Sequence, residues 1–392
     1  MIKLLPLIRH YLVYHRGKTV TLTICLTTAL YLPLTVHSLV EMLQTEMVRR
    51  AGATPIVIGP EGSRFDLVLH ALYFHTDAPG TIPRKAAAGV EDSGYATAVP
   101  LFVRYRARGH PIVGTTLEYF PLRGLEISRG HPPTLLGDCV VGWQVAQRLG
   151  LSPGDRLLSD PENVFDLGGA YPLDMRVTGI LDPAHSPDDH AVFVDLKTAW
   201  IIEGIGHGHD DLDETADPES VLRTEEDRTV ASPALRTHTR ITPENLASFH
   251  FHGDPGEFPL TAILAFPHDP RSGTLLLGRY VGEASRLQAL RPREVTEELL
   301  GMVIQLRRFF DFHHALMFAV VGLFVALVML LSLRLRKREA ETLFHLGCSR
   351  GTLFTLQAAE LLILLTVSAV LAATASRATV QAARGWVQTL SG

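Results

Sequence analysis

Three apolar runs at the two ends of the chain constrain this sequence more than any other feature. Residues 20–40 and 315–333 contain no Asp, Glu, Lys or Arg, and residues 353–375 contain a single acid, Glu360. A helix rises ~1.5 Å per residue, so about 20 residues cross a hydrocarbon core of ~30 Å, and each run is long enough. Average composition hides this, because a hydrophobic content of 46% suits a soluble enzyme as well as a membrane protein with a large polar insert. Position decides for three predicted transmembrane helices, at 20–40, 315–333 and 353–375.

The first run has the basic flank of a signal peptide. Its apolar stretch nevertheless exceeds the usual h-region of about 7–15 residues, and no small-x-small cleavage site follows. It reads as an uncleaved anchor. Lys3, Arg9, Arg16 and Lys18 precede it without an acid, and Arg334-Leu-Arg-Lys-Arg338 follows the second run. Both clusters belong on the cytoplasmic side. The expected layout is a cytoplasmic amphipathic helix at 1–19, an extracytoplasmic domain at 41–292, a helical stalk at 293–314, a cytoplasmic coupling segment at 334–352 and an outer tail at 376–392.

The segment between the spans is rich in Gly, Pro and short β-forming runs. Ala53–Ile58, Ala98–Tyr105, Met175–Leu181 and Ala191–Val194 read as strands, and Trp143–Gly150 as a helix stopped by its glycine. Strands and helices do not alternate regularly, so the fold class is α+β. Residues 207–227 hold nine acids and one Arg, and 205–240 is expected to be a surface loop.

Catalytic motifs are missing from the sequence. There is no GxxxxGK[ST], GxSxG, HExxH or GxGxxG after a strand, so an enzyme is not expected. Ser186 with Asp188, Asp189 and His190 is explained by a Pro/Asp-rich turn. A net charge of −5 without a basic patch gives no support to nucleic-acid binding, and three dispersed cysteines indicate neither a disulfide framework nor a thiolate site.

The most distinctive local pattern is Arg338-Glu-Ala-Glu-Thr-Leu-Phe-His-Leu-Gly-Cys-Ser-Arg350, followed by Glu360. It resembles the coupling segment of permease subunits of the MacB/FtsX/LolE class of ABC transporters, with Cys348 in place of the usual Ala. Gly137–Asp155, containing Ala-Gln-Arg-Leu-Gly-Leu-Ser-Pro-Gly-Asp, is similar to a segment of that family's outer domain, and Arg176–Leu181 to its next strand. The resemblance implies a permease in the inner membrane, paired with a second permease copy and with a cytoplasmic ABC ATPase that carries ATP and magnesium. A periplasmic partner protein is implied as well. Arg338, Glu339, Leu343, Phe344, Leu346, Gly347, Ser349 and Arg350 would form the ATPase-coupling site. Charged residues and an apolar Leu343/Phe344/Leu346 face suit docking in a partner groove, and the alternative is that the basic residues hold lipid headgroups. Glu360, costly in lipid, should face protein or the membrane boundary. The family pattern adds a further span, whereas 376–392 is too polar to cross, so the chain is expected to end outside.

Two other readings remain. The outer domain could activate a periplasmic hydrolase without transport, or the system could handle zinc. Twelve of the 18 histidines lie in the outer domain. His207, His209, Asp210 and Asp211 mix imidazole and carboxylate as a labile zinc site would, and His250 and His252 offer a further alternating pair. The alternative for that stretch is a solvated polar loop.

Overall fold

A computed structural model describes residues 5–335 and 349–390, apart from 75–76, 78, 162–171, 209–220, 226–227, 232–237 and 282–285. It divides into two compact units, one built on Met1–Glu46 with Leu300–Thr389 and the other on Met47–Leu299.

The first unit is helical. α1 (Leu5–Tyr14) and α2 (Arg16–Gly52) are separated at His15, and α2 continues well past the expected end of the first span at residue 40. The physical reason is that Glu41 ends the apolar run without ending helix propensity, which lasts until Gly52. Among the described residues, two helices are long and apolar enough to cross a membrane, α2 and the 358–383 stretch of the final helix. The second expected span, at 315–333, lies in a long helix whose described apolar stretch is Ala315–Phe324.

The second unit is a mixed α+β domain. In chain order it contains β1 (Ile56–Pro60), α3 (Arg64–Tyr73), β2 (Ile82–Pro83), α4 (Lys85–Glu91), β3 (Ala96–Ala107), β4 (His110–Thr115), α5 (Tyr119–Arg123), β5 (Ile127–Gly130), β6 (Asp138–Val141) and α6 (Trp143–Leu149). There follow β7 (Arg156–Leu158), β8 (Asp174–Leu181), β9 (Val192–Asp195), α7 (Leu196–Ile202), β10 (Gly206–His207), β11 (Val221–Glu225) and β12 (Arg228–Ala231). Last come β13 (His250–Phe251), β14 (Pro259–Leu260), β15 (Ala262–Pro267), α8 (Pro270–Gly278) and β16 (Leu287–Leu290), before α9 (Pro292–Leu335) and α10 (Arg350–Leu390).

Ten strands form one sheet in the order β16-β1-β15-β3-β4-β9-β6-β8-β5, with β7 paired to β8. Only β4·β9 and β6·β8 are parallel among these pairings. The central strands β1, β4, β6 and β9 are buried on both faces, which explains why they read as continuous apolar runs. Period-two alternation sends Ile56, Ile58, Cys139, Val141, Val192 and Val194 into one core, and Val57, Val140 and Phe193 into the other. The second core also takes in Ala51, near the end of α2, and Val295, near the start of α9.

Two expectations change. The 205–240 segment, expected as a loop, contains β10 and a β11·β12 hairpin; its acid count and lack of apolar alternation hid strands this short. Residues 376–390, expected as a polar tail, continue α10, because polarity bounds a membrane span but not a helix.

Candidate functional site

The sequence-predicted sites fall in three places. Of the coupling residues, Arg338, Glu339, Leu343, Phe344, Leu346 and Gly347 lie outside the described residues. Ser349 is exposed, and Arg350 opens α10. Glu360 is 3% exposed and pairs with Lys18, its Oε1 3.2 Å from Nζ. Near this pair Leu22 and Leu26 of α2 pack with Leu364 of α10. Farther along, Ser368 Oγ donates to the Thr23 carbonyl at 3.3 Å, and the Tyr31 and Thr379 hydroxyls meet at 2.8 Å.

A charged cluster in the domain was missed by sequence reasoning. Arg50, in the last turn of α2, donates from Nη2 to Asp188 Oδ1 at 3.0 Å and from Nη1 to Asp188 Oδ2. Its Nε donates to the Leu72 carbonyl at 3.1 Å. Tyr119 donates to Asp188 Oδ1 at 2.5 Å, and Ser186 Oγ to Oδ2 at 2.8 Å. Arg123 sits over the Tyr119 ring and donates to Thr54 at 2.6 Å. Asp188 is fully buried. Burial alone would raise its carboxyl, but the Arg50 guanidinium prevails and holds it at about 2. Burial, helped by the Asp188 charge, pushes the Tyr119 hydroxyl up, so it remains a donor.

The turn that carries Asp188 is a 3-10 turn, Pro187–His190, with Ser186 and Asp189 forming a capping box. It packs so closely on the start of α6 that a Cβ at Gly142 would lie 2.3 Å from the Asp188 carbonyl oxygen. Asp188, with Ser186 on its carboxylate, is therefore an anchor for the end of α2. Its one sequence signal was two adjacent acids in a Pro-capped turn.

The histidines converge elsewhere. β10 and β13 pair antiparallel, with His207 opposite His250 and Gly206 opposite Phe251. The His252 N–H extends the ladder to the Ile205 carbonyl at 3.0 Å. Ring centroids are 4.8 Å apart for His207–His250, 4.9 Å for His207–His252 and 4.8 Å for His250–His252. One ligand nitrogen from each lies within 4.8 Å of the others. His209, Asp210 and Asp211 lie outside the described residues.

The opposite face of the ladder carries Phe249 and Phe251, which pack against the domain core. A Cβ at Gly206 would sit 2.7 Å from the Phe251 ring, and one at Gly208 2.6 Å from the Phe249 ring. These glycines admit the aromatic rings, a role that spacing alone did not reveal.

A mixed α+β domain placed between apolar helices defines the class. The sequence profile of the MacB-like periplasmic core domain family matches residues 34–231. The chain belongs to that family, within the MacB/FtsX-like class of ABC-transporter permeases. A search of curated proteins gives no match. Among solved structures, the periplasmic region of MacB from Actinobacillus actinomycetemcomitans is similar at 10% identity and a TM-score of 0.35, covering 64% of this chain and 95% of that one. The extracellular domain of the noncanonic ABC-type transporter YknZ from Gram-positive bacteria is similar at 11% identity and a TM-score of 0.32, with coverage of 60% and 98%. A domain of a permease protein from Porphyromonas gingivalis gives 13% identity, a TM-score of 0.28 and coverage of 60% and 86%. The family assignment rests on the profile match.

Proposed function

We propose that this chain is the inner-membrane permease subunit of a MacB/FtsX-type ABC transporter, transmitting ATP-driven motion from a separate cytoplasmic ATPase to its extracytoplasmic domain. One observation carries the reading. The family match begins at residue 34, inside the span-length helix α2, and continues into the domain as far as residue 231. The last turn of that helix belongs to the domain unit, where Arg50 is held to the buried Asp188, so one helix runs from the apolar stretch into the charged cluster of the domain. ATP and magnesium belong to the partner ATPase. The 334–352 segment is its docking site, and α9, whose 293–314 part is the stalk, carries the motion outward. A second permease copy completes the complex.

Docking depends on the apolar face of Leu343 and Leu346. The double change Leu343→Asp/Leu346→Asp should abolish co-purification of the ATPase with the full chain in detergent while leaving the thermal unfolding of the outer domain unchanged. Recovery of the ATPase at wild-type yield would overturn the docking assignment.

A further inference from the structure

The β10·β13 ladder carries three imidazoles that the transmission of motion does not use. We infer that His207, His250 and His252 supply three ligands to one zinc ion at the surface of the outer domain. Strand register brings the three together. His250 and His252 are two residues apart and share a face, and His207 stands directly across from His250.

Tetrahedral zinc with Zn–N bonds of ~2.0–2.1 Å sets its ligand nitrogens about 3.4 Å apart. The nitrogens here lie within 4.8 Å of one another, so binding draws the three rings closer together. Three nitrogen donors suit zinc and its first-row neighbours, whereas magnesium and calcium require oxygen cages. His250 Nδ1 lies 3.0 Å from the Ser248 carbonyl oxygen. A carbonyl only accepts, so the ring proton sits on Nδ1 and Nε2 presents the lone pair. A backbone carbonyl orienting the ring in this way is the usual support of a zinc-bound histidine.

The ladder is also held against slippage. A shift of one residue would turn Phe249 and Phe251 out of the core and the histidines into it. His252 is exposed, and His207 and His250 are half-buried.

The test uses the full chain in detergent, with any affinity tag removed, titrated with Zn²⁺ against a chromophoric chelator. One equivalent should bind, and affinity should fall at least ~10–100-fold in His207→Ala and in His250→Ala. The exposed position makes His252→Ala the variant least able to disturb folding. It should lose affinity to a similar extent while its metal-free unfolding temperature matches wild type. Cobalt should give the intense visible absorption of a tetrahedral nitrogen site in the wild type and not in the variants. Equal zinc affinity in the wild type and in His250→Ala/His252→Ala would overturn the assignment. Loss of binding confined to His209→Ala/Asp210→Asn/Asp211→Asn would do the same, since it moves the ion into the acidic stretch. The outcome does not depend on the transporter reading, because a chain that recruits no ATPase would still bind the ion.

Discussion

Asp188 shows at the scale of one residue how burial changes the meaning of a charge. Its carboxylate is enclosed by Arg50, Tyr119 and Ser186, and removing one partner of such a pair strands the other away from water. Asp188→Asn keeps the shape and removes the charge, leaving the Arg50 guanidinium uncompensated. The expected loss is about 3–5 kcal/mol of domain stability, whereas the double change Arg50→Met/Asp188→Leu should lose less. Denaturant unfolding followed by the fluorescence of Trp143 and Trp200 reads both. The same pair sets a pH dependence. A folded value of about 2, against about 3.9 when unfolded, means that the contribution is complete above pH ~4 and is lost as pH falls toward 2. The stability gap between wild type and Asp188→Asn should therefore be constant from pH 7 to 5 and shrink below pH 4. A gap that stays constant down to pH 2 would remove Asp188 from the pairing assigned to it.

At the scale of elements, α2 and α10 associate through small side chains. Ser368, Ala372 and Ser376 repeat every four residues and are 0%, 0% and 5% exposed, so one narrow stripe of α10 is covered. Close approach of helix backbones through small residues is the usual means of packing where lipid offers no hydrophobic drive. Ala372→Leu adds bulk to that stripe and should destabilise the helical unit by about 1–3 kcal/mol. Val370→Ala on the exposed face should change little. Thermal unfolding in detergent, with the two variants side by side, checks this, and equal melting of the two would mean that the stripe is not an interface. Elements with a strong local pattern were legible in the chain. Trp143–Leu149 forms α6, with Gly150 capping it in the left-handed region at φ 66°, and Val192–Asp195 forms β9. β10 and β13 were not legible, since two residues of strand carry no period and exist only because each finds the other.

For the whole molecule, the charge bias around the spans makes an orientation test. If residues 1–19 and 334–352 are cytoplasmic and the chain crosses three times, as its charge bias predicts, a reporter active only after export should be active when joined after Gly392 and silent when joined after Arg338. Silence at both positions would mean that the chain returns across the membrane before its final residue and that the count of spans is wrong. The fold class and the family were legible because long apolar runs, continuous apolar strands and the 137–155 pattern are local properties, written in neighbouring residues. The anchor was not, and of the imidazole cluster only the members were, His207 and the His250/His252 pair, without the geometry that joins them. Arg50 reaches Asp188 across 138 positions of sequence, and Lys18 reaches Glu360 across 342. Likewise, His207 meets His250 only through the register of two strands. Local sequence determines which residues prefer helix, strand or lipid, because those preferences arise within a few bonds. Which charges lose water together, and which imidazoles share a face, depends on strand order and packing, and tertiary structure alone decided these.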